Sequence, residues 1–344
     1  MMTATATPPE LSRLTLGFVP LLDAALLVVA REGGFFAAQG LEVALSRENA
    51  WSTLRDKVAA GLLDGAQMLA PLPLAMSQGL GRAPCDTLAP LTLSRNGNAL
   101  VLATPLSEAS GAELGETARS SAAALGRWRR GQEADPRLRL AMVYPFSCQH
   151  YQLRDWLRLG ELDPVADVEL VVLPPPRMVE ALETGIIDGF CAGEPWGSLA
   201  AHRGLGRLVA TGAQLWPDQP EKVLGVTRSW ARRYPATLAA LLRALQAAAA
   251  WLEASPEHRH RTLGWLALPP YLDRAVAHLD ALPLDAAPIH QRLTGRATLR
   301  PDPAAAERLV APLEETLAHH GRHLDPATLA ECYSPAHFDA ALHP

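Results

Sequence analysis

Two stretches of the chain repeat the same alternation of strand-like and helix-like segments, and this repetition constrains the fold more than any other feature. In the first stretch, residues 14–19, 41–45 and 65–69 are short apolar or alternating segments typical of strands, with helical patterns between them. Residues 138–143, 168–173 and 187–192 have the same character in the second stretch, and residues 149–159 and 177–184 between them have helical patterns. Strands and helices that alternate at this spacing predict βαβ units around a parallel sheet.

Helical segments separate and follow these two α/β modules. Residues 104–136 are rich in Ala, Ser, Gly and Glu, and we expect helices with loops there. From residue 231 onward the pattern predicts long helices, including residues 235–254, and no clear strand. Two similar modules followed by a helical tail fit a bilobal binding protein. Its ligand would lie between the lobes, where helix N-termini offer free N–H groups to an anion.

Composition narrows the class of protein further. With 344 residues, 49% of them apolar and 19% charged, the chain can build two well-packed domains. The net charge of −5 argues against direct binding of nucleic acid. The four cysteines lack the spacing of zinc ligands, so we expect free thiols and no bound metal.

The N-terminal sequence predicts a cytoplasmic protein. Residues 1–12 contain neither a basic segment nor an apolar segment of the kind that a secretory leader requires. The first apolar run is interrupted by Gly17, Pro20 and Asp23, which is unsuited to a membrane span. We therefore expect no association with a membrane.

Eight short stretches, in order over about two thirds of the chain, together resemble one family, the periplasmic nitrate- and bicarbonate-binding proteins. Within it, they are most similar to its cytoplasmic nitrate/nitrite sensors. The stretches are residues 17–18 with 23–25, 50–56, 64–73, 96–98, 148–150, 174–179, 191–196 and 214–222.

The resemblance implies a two-lobed, type II periplasmic-binding-protein-like α/β fold with a helical C-terminal segment. Lobe I would comprise residues 12–95 and 195–344, and lobe II residues 96–194, with the ligand cleft between them. In this scheme Glu194-Pro195-Trp196 marks the return crossover to lobe I.

The resemblance also implies a set of ligand contacts. Carried over position by position, these are Trp51, Gly97, Asn98, His150, Gly193 and Lys222. The family commonly has Gln where this chain has Asn98. Ser147-Cys148-Gln149 also departs from the small residues that relatives have before the histidine.

The chemistry of these side chains suits nitrate. Nitrate is flat, singly charged and only accepts hydrogen bonds, so it requires N–H donors and a positive charge in a dry cleft. Lys222 can supply the charge, His150 and Asn98 can donate, and Trp51 offers a flat face or an indole N–H. Bicarbonate carries a hydroxyl group that needs an acceptor, so Lys222 favours nitrate or nitrite as the ligand.

Three acidic residues near these positions leave alternatives open. Asp23 is either a helix N-cap or a residue that lines the cleft. If Lys222 begins a strand, Glu221 should point to the opposite face and leave the lysine charge uncompensated. Whether Asp23 or Glu194 contacts the ligand is not decided by the sequence.

By the same resemblance, the leading functional hypothesis is a cytoplasmic nitrate/nitrite sensor. It would hold an RNA-binding antiterminator of the NasT type when empty and release it when the lobes close on the anion. The alternative is the substrate-binding component of an ABC importer for nitrate or a related anion. A distant alternative is an enzyme similar to thiamine-pyrimidine synthases, although the Cys-rich iron-binding motif of those enzymes is missing. Since GxSxG, P-loop, HExxH and GxGxxG motifs are also missing, we expect neither enzyme activity nor a cofactor.

Overall fold

The computed structural model describes residues 7–132, 136–318 and 321–342. Residues 1–6, which form half of the N-terminal segment predicted to lack the features of a secretory leader, lie outside this set. The strands of the described residues are β1 (Arg13–Phe18), β2 (Glu42–Arg47), β3 (Gly65–Leu69), β4 (Thr87–Arg95), β5 (Asn98–Ala103), β6 (Leu138–Met142), β7 (Val168–Val172), β8 (Gly189–Gly193), β9 (Gly206–Thr211) and β10 (Pro220–Thr227). They form two five-stranded sheets, in the orders β2-β1-β3-β10-β4 and β7-β6-β8-β5-β9.

Helices cover both sheets and make up most of the C-terminal third. They are α1 (Ala25–Glu32), α2 (Phe35–Ala38), α3 (Trp51–Ala59), α4 (Pro71–Ser77), α5 (Thr104–Ser110), α6 (Ala118–Arg130), α7 (Cys148–Leu159), α8 (Pro175–Glu183), α9 (Trp196–His202), α10 (Gly212–Leu215), α11 (Arg228–Arg233), α12 (Pro235–Ala254), α13 (Pro256–Leu266), α14 (Arg296–Leu299), α15 (Pro303–Ala306), α16 (Val310–Ala318), α17 (Pro326–Cys332) and α18 (Ala336–Leu342). Short 3₁₀ turns occur at Leu22–Ala24, Asp273–Val276 and Glu307–Leu309.

The βαβ units predicted from the sequence are confirmed, but the sheets are mixed rather than parallel. β1 pairs in parallel with β2 and β3, and β6 pairs in parallel with β7 and β8. The antiparallel members are β4, β5, β9 and β10. These four strands were not predicted. In β4, at the edge of the first sheet, and in β10, polar residues and proline interrupt the apolar pattern that would predict a buried strand.

The two-lobed architecture is confirmed, although the predicted return to lobe I at residue 195 is too early. Strand β9 pairs with β5 in the second sheet, so the chain stays in lobe II beyond Gly206–Thr211. The return crossover therefore lies between β9 and β10, and the outward crossover between β4 and β5. Hereafter lobe I is the first sheet with its helices and α11–α18, and lobe II is the second sheet with its helices.

Residues 194–196 lie at the contact between the lobes even though they are not the crossover. The N–H of Leu22 donates to the carbonyl of Glu194 (2.8 Å), and Nε1 of Trp196 donates to the carbonyl of Pro20 (3.0 Å). These bonds connect the end of β8 to the segment that follows β1.

The predicted C-terminal helix 235–254 is confirmed as α12, which packs on α1, α2, α13 and α18. Its length and apolar composition would be enough to cross a membrane, but 56% of its most apolar 18-residue stretch is buried inside the protein. Helices at the core of a domain share this property. In this structure α12 is the central helix of lobe I.

Candidate functional site

The carboxyl ends of the parallel strands of both sheets meet at the junction between the lobes. In lobe I, Asp23 follows β1, Trp51 follows β2, and Lys222 in β10 pairs with Leu69 at the end of β3. In lobe II, Gly193 ends β8, and α7 begins shortly after β6. Ligands of open α/β sheets bind at this edge, so the predicted location of the site agrees with the observed topology.

Lys222 is the centre of a buried polar cluster at this junction. It is one of only two lysines in the chain, and its side chain is completely buried. Its Nζ atom lies 3.1 Å from Oδ2 of Asp23, 2.9 Å from Oε1 of Glu221, and 5.8 Å from the ring centroid of Trp51. Burial acts to lower the pKa of Lys222, but attraction to the two carboxylates outweighs it and raises the pKa. The ammonium group is therefore charged.

The prediction that Glu221 points away from Lys222 is wrong, and the reason is an irregular strand. Neighbouring residues of a regular strand face opposite sides of the sheet. The register of β10 against β4 shifts both before and after Lys222, and a bulge of this kind re-aims side chains. Glu221 is consequently buried beside the ammonium group and compensates its charge.

Asp23 lines the site and does not cap a helix. It lies within the 3₁₀ turn Leu22–Ala24, and its side chain makes no capping hydrogen bond. Besides its contact with Lys222, it accepts a hydrogen bond from Nε2 of Gln67. Burial raises the pKa of the Asp23 carboxyl group, and Lys222 opposes this effect.

Lobe II contributes side-chain amides to the cluster. Nδ2 of Asn98 donates to Oε2 of Glu221 and to Oε1 of Gln152, both at 2.8 Å. Nε2 of Gln149 donates to Oε1 of Glu221 (2.6 Å) and to Oδ1 of Asn98 (2.7 Å). Because Gln149 and Gln152 are three residues apart in α7, they lie on the same face of the helix. We define the Lys222 cluster as the following residues: Asp23, Gln67, Trp51, Asn98, Gln149, Gln152, Glu221 and Lys222.

His150 lies on a different face of α7, outside the Lys222 cluster. Its Nδ1 atom is hydrogen bonded with the carbonyl of Pro145 (2.7 Å), and its ring lies 5.6 Å from that of Tyr151. Burial lowers its pKa, and the charged groups that act on it include Arg154 and Glu315. The structure therefore brings together Trp51, Asn98 and Lys222, but not His150.

Sequence reasoning missed Gln149 and Gln152 as members of the site. The signal was present, since two amides with helical spacing follow a strand at the start of a helix. The motif match drew attention to His150 instead. Ser147 caps the helix by accepting a hydrogen bond from the backbone N–H of His150 (3.1 Å). This cap sets which face of α7 meets Glu221.

The two predicted glycines have different roles in the geometry. A β-carbon on Gly193 would lie 3.7 Å from both Oδ1 of Asn98 and Oδ2 of Asp23, so the glycine keeps space between the lobes. Gly97 is in the outward crossover, with φ of 99°, a conformation that favours glycine. Its carbonyl accepts a hydrogen bond from the N–H of Glu194 (2.9 Å).

The cluster contains one donor without an acceptor and two acceptors without a donor. Among the described residues, nothing accepts a hydrogen bond from the buried Nε1 of Trp51, and nothing donates to Oε1 of Gln149 or to Oδ2 of Asp23. Nζ of Lys222 donates one hydrogen bond, to Oε1 of Glu221, and lies 3.1 Å from Oδ2 of Asp23 as an ion pair. One indole N–H and one ammonium N–H are thus available to a small acceptor at the junction.

The described residues contain no group of three or more His, Cys, Asp and Glu side chains suited to a metal ion. The four cysteines are free. Burial raises the pKa of Cys148 and of Cys191 well above the usual thiol value, and the charge of Glu221 adds to this shift. Both thiols border the Lys222 cluster as neutral groups.

Most of the chain is similar in sequence to known proteins. The sequence profile of the NMT1-like family matches residues 7–267. The chain is 42% identical over 273 residues to the nitrate import ATP-binding protein NrtC of Synechocystis PCC 6803, covering 79% of this chain and 39% of that protein. It is 32% identical over 254 residues to the nitrate/nitrite binding protein NrtA of Synechococcus elongatus, covering 71% of this chain and 56% of that protein.

Among solved structures, the periplasmic nitrate-binding protein NrtA from Synechocystis PCC 6803 superposes with a TM-score of 0.84. It shares 24% identity, and the alignment covers 98% of this chain and 90% of that one, so it supports the same two-lobed fold. The chain spans between about two fifths and three fifths of the length of these curated relatives. By its sequence and its fold, the chain belongs to the NMT1-like family and is similar to the NrtA binding proteins within it.

Proposed function

We propose that the chain binds a small planar oxyanion, nitrate or nitrite, at the Lys222 cluster. The observation that carries this proposal is a charged, fully buried ammonium group beside an indole N–H that has no acceptor in the described part of the chain. Both donors face the junction between two lobes, where a bound anion would contact each lobe at once. The names of the NrtC and NrtA relatives, which refer to nitrate or nitrite, support the same ligand class.

Bicarbonate is the competitor that matters most. The sequence favours nitrate because a cation, Lys222, offers no acceptor to the hydroxyl group of bicarbonate. The cluster also contains Asp23 and Glu221, whose oxygens could accept a hydrogen bond from the hydroxyl group of bicarbonate. The cation alone therefore does not distinguish the two anions.

Calorimetric titration with nitrate, nitrite, bicarbonate and sulfate tests the ligand class. We expect binding of nitrate or nitrite and no binding of sulfate, a tetrahedral dianion that would bring two charges next to Asp23 and Glu221. If the folded protein bound neither nitrate nor nitrite at millimolar concentration, the proposal would be wrong.

We further propose that the protein acts as the oxyanion-binding component of an ABC importer. Its similarity to a nitrate import protein and to nitrate/nitrite binding proteins supports this role. The chain has no P-loop motif, so another subunit or segment would supply ATP hydrolysis. Reconstitution of nitrate uptake with and without this chain would test the role, and unchanged uptake would argue against it.

The second candidate is a cytoplasmic NasS-type sensor that holds an antiterminator. One observation favours it. Identity is higher to a segment of an ATP-binding protein (42%) than to a separate binding protein (32%), and ATP-binding subunits work on the side of the membrane that contains ATP. A domain on that side would report the internal anion concentration.

Cell fractionation separates the two candidates, because only the sensor requires a cytosolic location. A pull-down provides the second test. A NasT-type antiterminator should co-purify without nitrate and dissociate when nitrate is added. A Lys222→Met variant, which should not bind the anion, would keep the partner under both conditions. Failure to recover the antiterminator without nitrate would count against the sensor.

We also propose that the protein is not an enzyme, in line with the missing catalytic motifs. The thiamine-pyrimidine synthase alternative requires pyridoxal phosphate. An absorbance spectrum of the purified protein would detect that cofactor.

A further inference from the structure

The Lys222 cluster contains more negative than positive charge. Lys222 contributes one positive charge, and Asp23 and Glu221 contribute two negative charges when both are ionised. Among the residues that the structure describes, no other cation is paired with either carboxylate. All three side chains are buried, with exposed fractions of 0% for Asp23, 1% for Glu221 and 0% for Lys222. The ionised cluster therefore has a net charge of −1 with little solvent screening.

The other polar groups that face the cluster are neutral. They are Gln67 from β3, Asn98 from β5, Cys148, Gln149 and Gln152 from α7, Cys191 from β8, and Tyr333, which follows α17. Burial raises the pKa of Tyr333 well above the usual phenol value, so its hydroxyl group stays protonated. Arg95, a cation that acts on Tyr333, donates to the carbonyl of Asp218 and lies 3.6 Å from its carboxylate. Among the described residues, no cation other than Lys222 is therefore paired with the carboxylates of the cluster.

A monoanion that entered the ionised cluster would change its net charge from −1 to −2 in a buried site. One proton taken up by a carboxylate removes this added charge. Protonation also gives that carboxyl group an O–H that can donate a hydrogen bond to a nitrate oxygen. We propose that the protein binds its oxyanion together with one proton, and that Asp23 is the residue that takes up the proton.

The hydrogen bonds of the two carboxylates distinguish Asp23 from Glu221. Glu221 accepts hydrogen bonds from Asn98, Gln149 and Lys222, which stabilise its ionised form. Asp23 has fewer donors, Gln67 on Oδ1 and Lys222 near Oδ2. Its Oδ2 atom lacks a hydrogen-bond partner among the described residues and lies 3.7 Å from the position that a β-carbon on Gly193 would occupy.

Linkage fixes the sign of the pH dependence. Burial already raises the pKa of Asp23 in the free protein, and a nearby anion raises it further. The complex then holds more protons than the free protein, so oxyanion affinity falls as the pH rises between the two pKa values. Asp23 thereby sets the pH range in which the protein retains its ligand.

This inference rests on the proposed oxyanion function and is tested by calorimetry with potassium nitrate. Titrations in buffers of different ionisation enthalpy give the number of protons taken up per nitrate. For the unchanged protein we expect uptake that approaches about one proton, and affinity that falls by up to about tenfold per pH unit. In Asp23→Asn we expect no proton uptake and an affinity that does not change with pH.

A matched control is Glu194→Gln, which neutralises another buried carboxyl group whose pKa burial raises. Its side chain is bonded to Ser198 rather than to the Lys222 cluster, so this variant should keep the proton uptake. Binding of nitrate without proton uptake in the unchanged protein would overturn the inference and leave the proposed function standing.

Two further outcomes are informative. Loss of proton uptake in Glu221→Gln but not in Asp23→Asn would overturn the assignment to Asp23. If folded protein bound nitrate at no pH, the proposed function would fail and this inference with it. Since the proton count of the unchanged protein needs no variant, the test survives even if Asp23→Asn fails to fold.

Discussion

Lobe I supplies the charges of the Lys222 cluster, whereas lobe II supplies amides. Asp23, Glu221 and Lys222 all belong to the first sheet or to the turn that follows its first strand. Asn98 and Gln149 belong to the second sheet and its helix, and both donate to Glu221 rather than to a ligand position. Under the proposed function, lobe I would determine how strongly an anion is held. Lobe II would stabilise the contact between the lobes through its hydrogen bonds to Glu221.

The largest expected effect is that of Lys222→Met in lobe I. Methionine fills a similar volume but leaves Asp23 and Glu221 buried without a counterion. Breaking a buried pair in this way typically costs about 3–5 kcal/mol of unfolding free energy. We expect a loss of this size near neutral pH by denaturant unfolding, together with loss of nitrate binding by calorimetry.

The pH dependence of this variant has a definite sign. Burial already raises the pKa of both carboxyl groups, and removal of Lys222 raises the pKa further. When the pKa of a carboxyl group is higher in the folded than in the unfolded protein, the free energy of unfolding of the protein decreases as the pH rises. The variant should therefore regain stability in acid relative to the unchanged protein.

Lys57, the other lysine of the chain, provides the matched control. Its Nζ atom lies 2.8 Å from Oε1 of Glu48, and its side chain is 38% exposed. Glu48 is buried, but it also accepts a hydrogen bond from Ser46, and water reaches the lysine, so the pair should contribute only about 1 kcal/mol. Lys57→Met should leave nitrate binding unchanged. Equal losses in both variants would contradict a special role for the buried lysine.

The second largest effect should come from Trp51→Phe, also in lobe I. Phenylalanine keeps an aromatic ring but removes the Nε1 donor, which has no acceptor among the described residues. A hydrogen bond to a charged group contributes on the order of 1.5–3 kcal/mol. We expect nitrate affinity to fall accordingly in calorimetric titrations, with little change in the free energy of unfolding.

Trp156→Phe is the control for this substitution. Trp156 is as deeply buried as Trp51, but its Nε1 donates to Oγ of Ser121 within lobe II. Its loss should lower stability and leave nitrate affinity unchanged. If Trp51→Phe bound nitrate as well as the unchanged protein, the indole would be a packing residue only.

The sequence predicted the backbone of the site better than its side-chain orientations. Strands β1, β3 and β6 and helix α7 were recognisable because their apolar patterns are regular, and they place the site at the junction of the lobes. The orientation of Glu221 depends on a bulge in β10, which strand alternation cannot show. The face that α7 turns toward Glu221 depends on the cap at Ser147 and on packing between lobes, neither of which residue spacing determines.

A smaller effect is expected from Gly193→Ala in lobe II. The new methyl group would lie 3.3 Å from Cδ2 of Leu21 and 3.7 Å from polar atoms of both lobes, so the fold should accept it with slight adjustment. It would fill space between Asp23 and Asn98 and should weaken nitrate binding by about 1 kcal/mol. Gly264→Ala is the control, because a β-carbon at Gly264 meets no atom within 4 Å. Equal nitrate affinity in the two variants would place the anion away from Gly193.

The smallest expected effect is that of His150→Ala, and it separates the sequence-based hypothesis from the structural one. The motif match implies a ligand contact, which would make the loss of the imidazole costly. In the structure the ring is bonded with the carbonyl of Pro145, while Gln149 on the neighbouring face reaches Glu221. If this arrangement persists with ligand bound, calorimetry should show less than about a twofold change in nitrate affinity, in contrast to the tenfold change that each ~1.4 kcal/mol produces. A large loss would mean that α7 rotates its histidine toward the anion on binding, and lobe II would then contribute charge as well as amides.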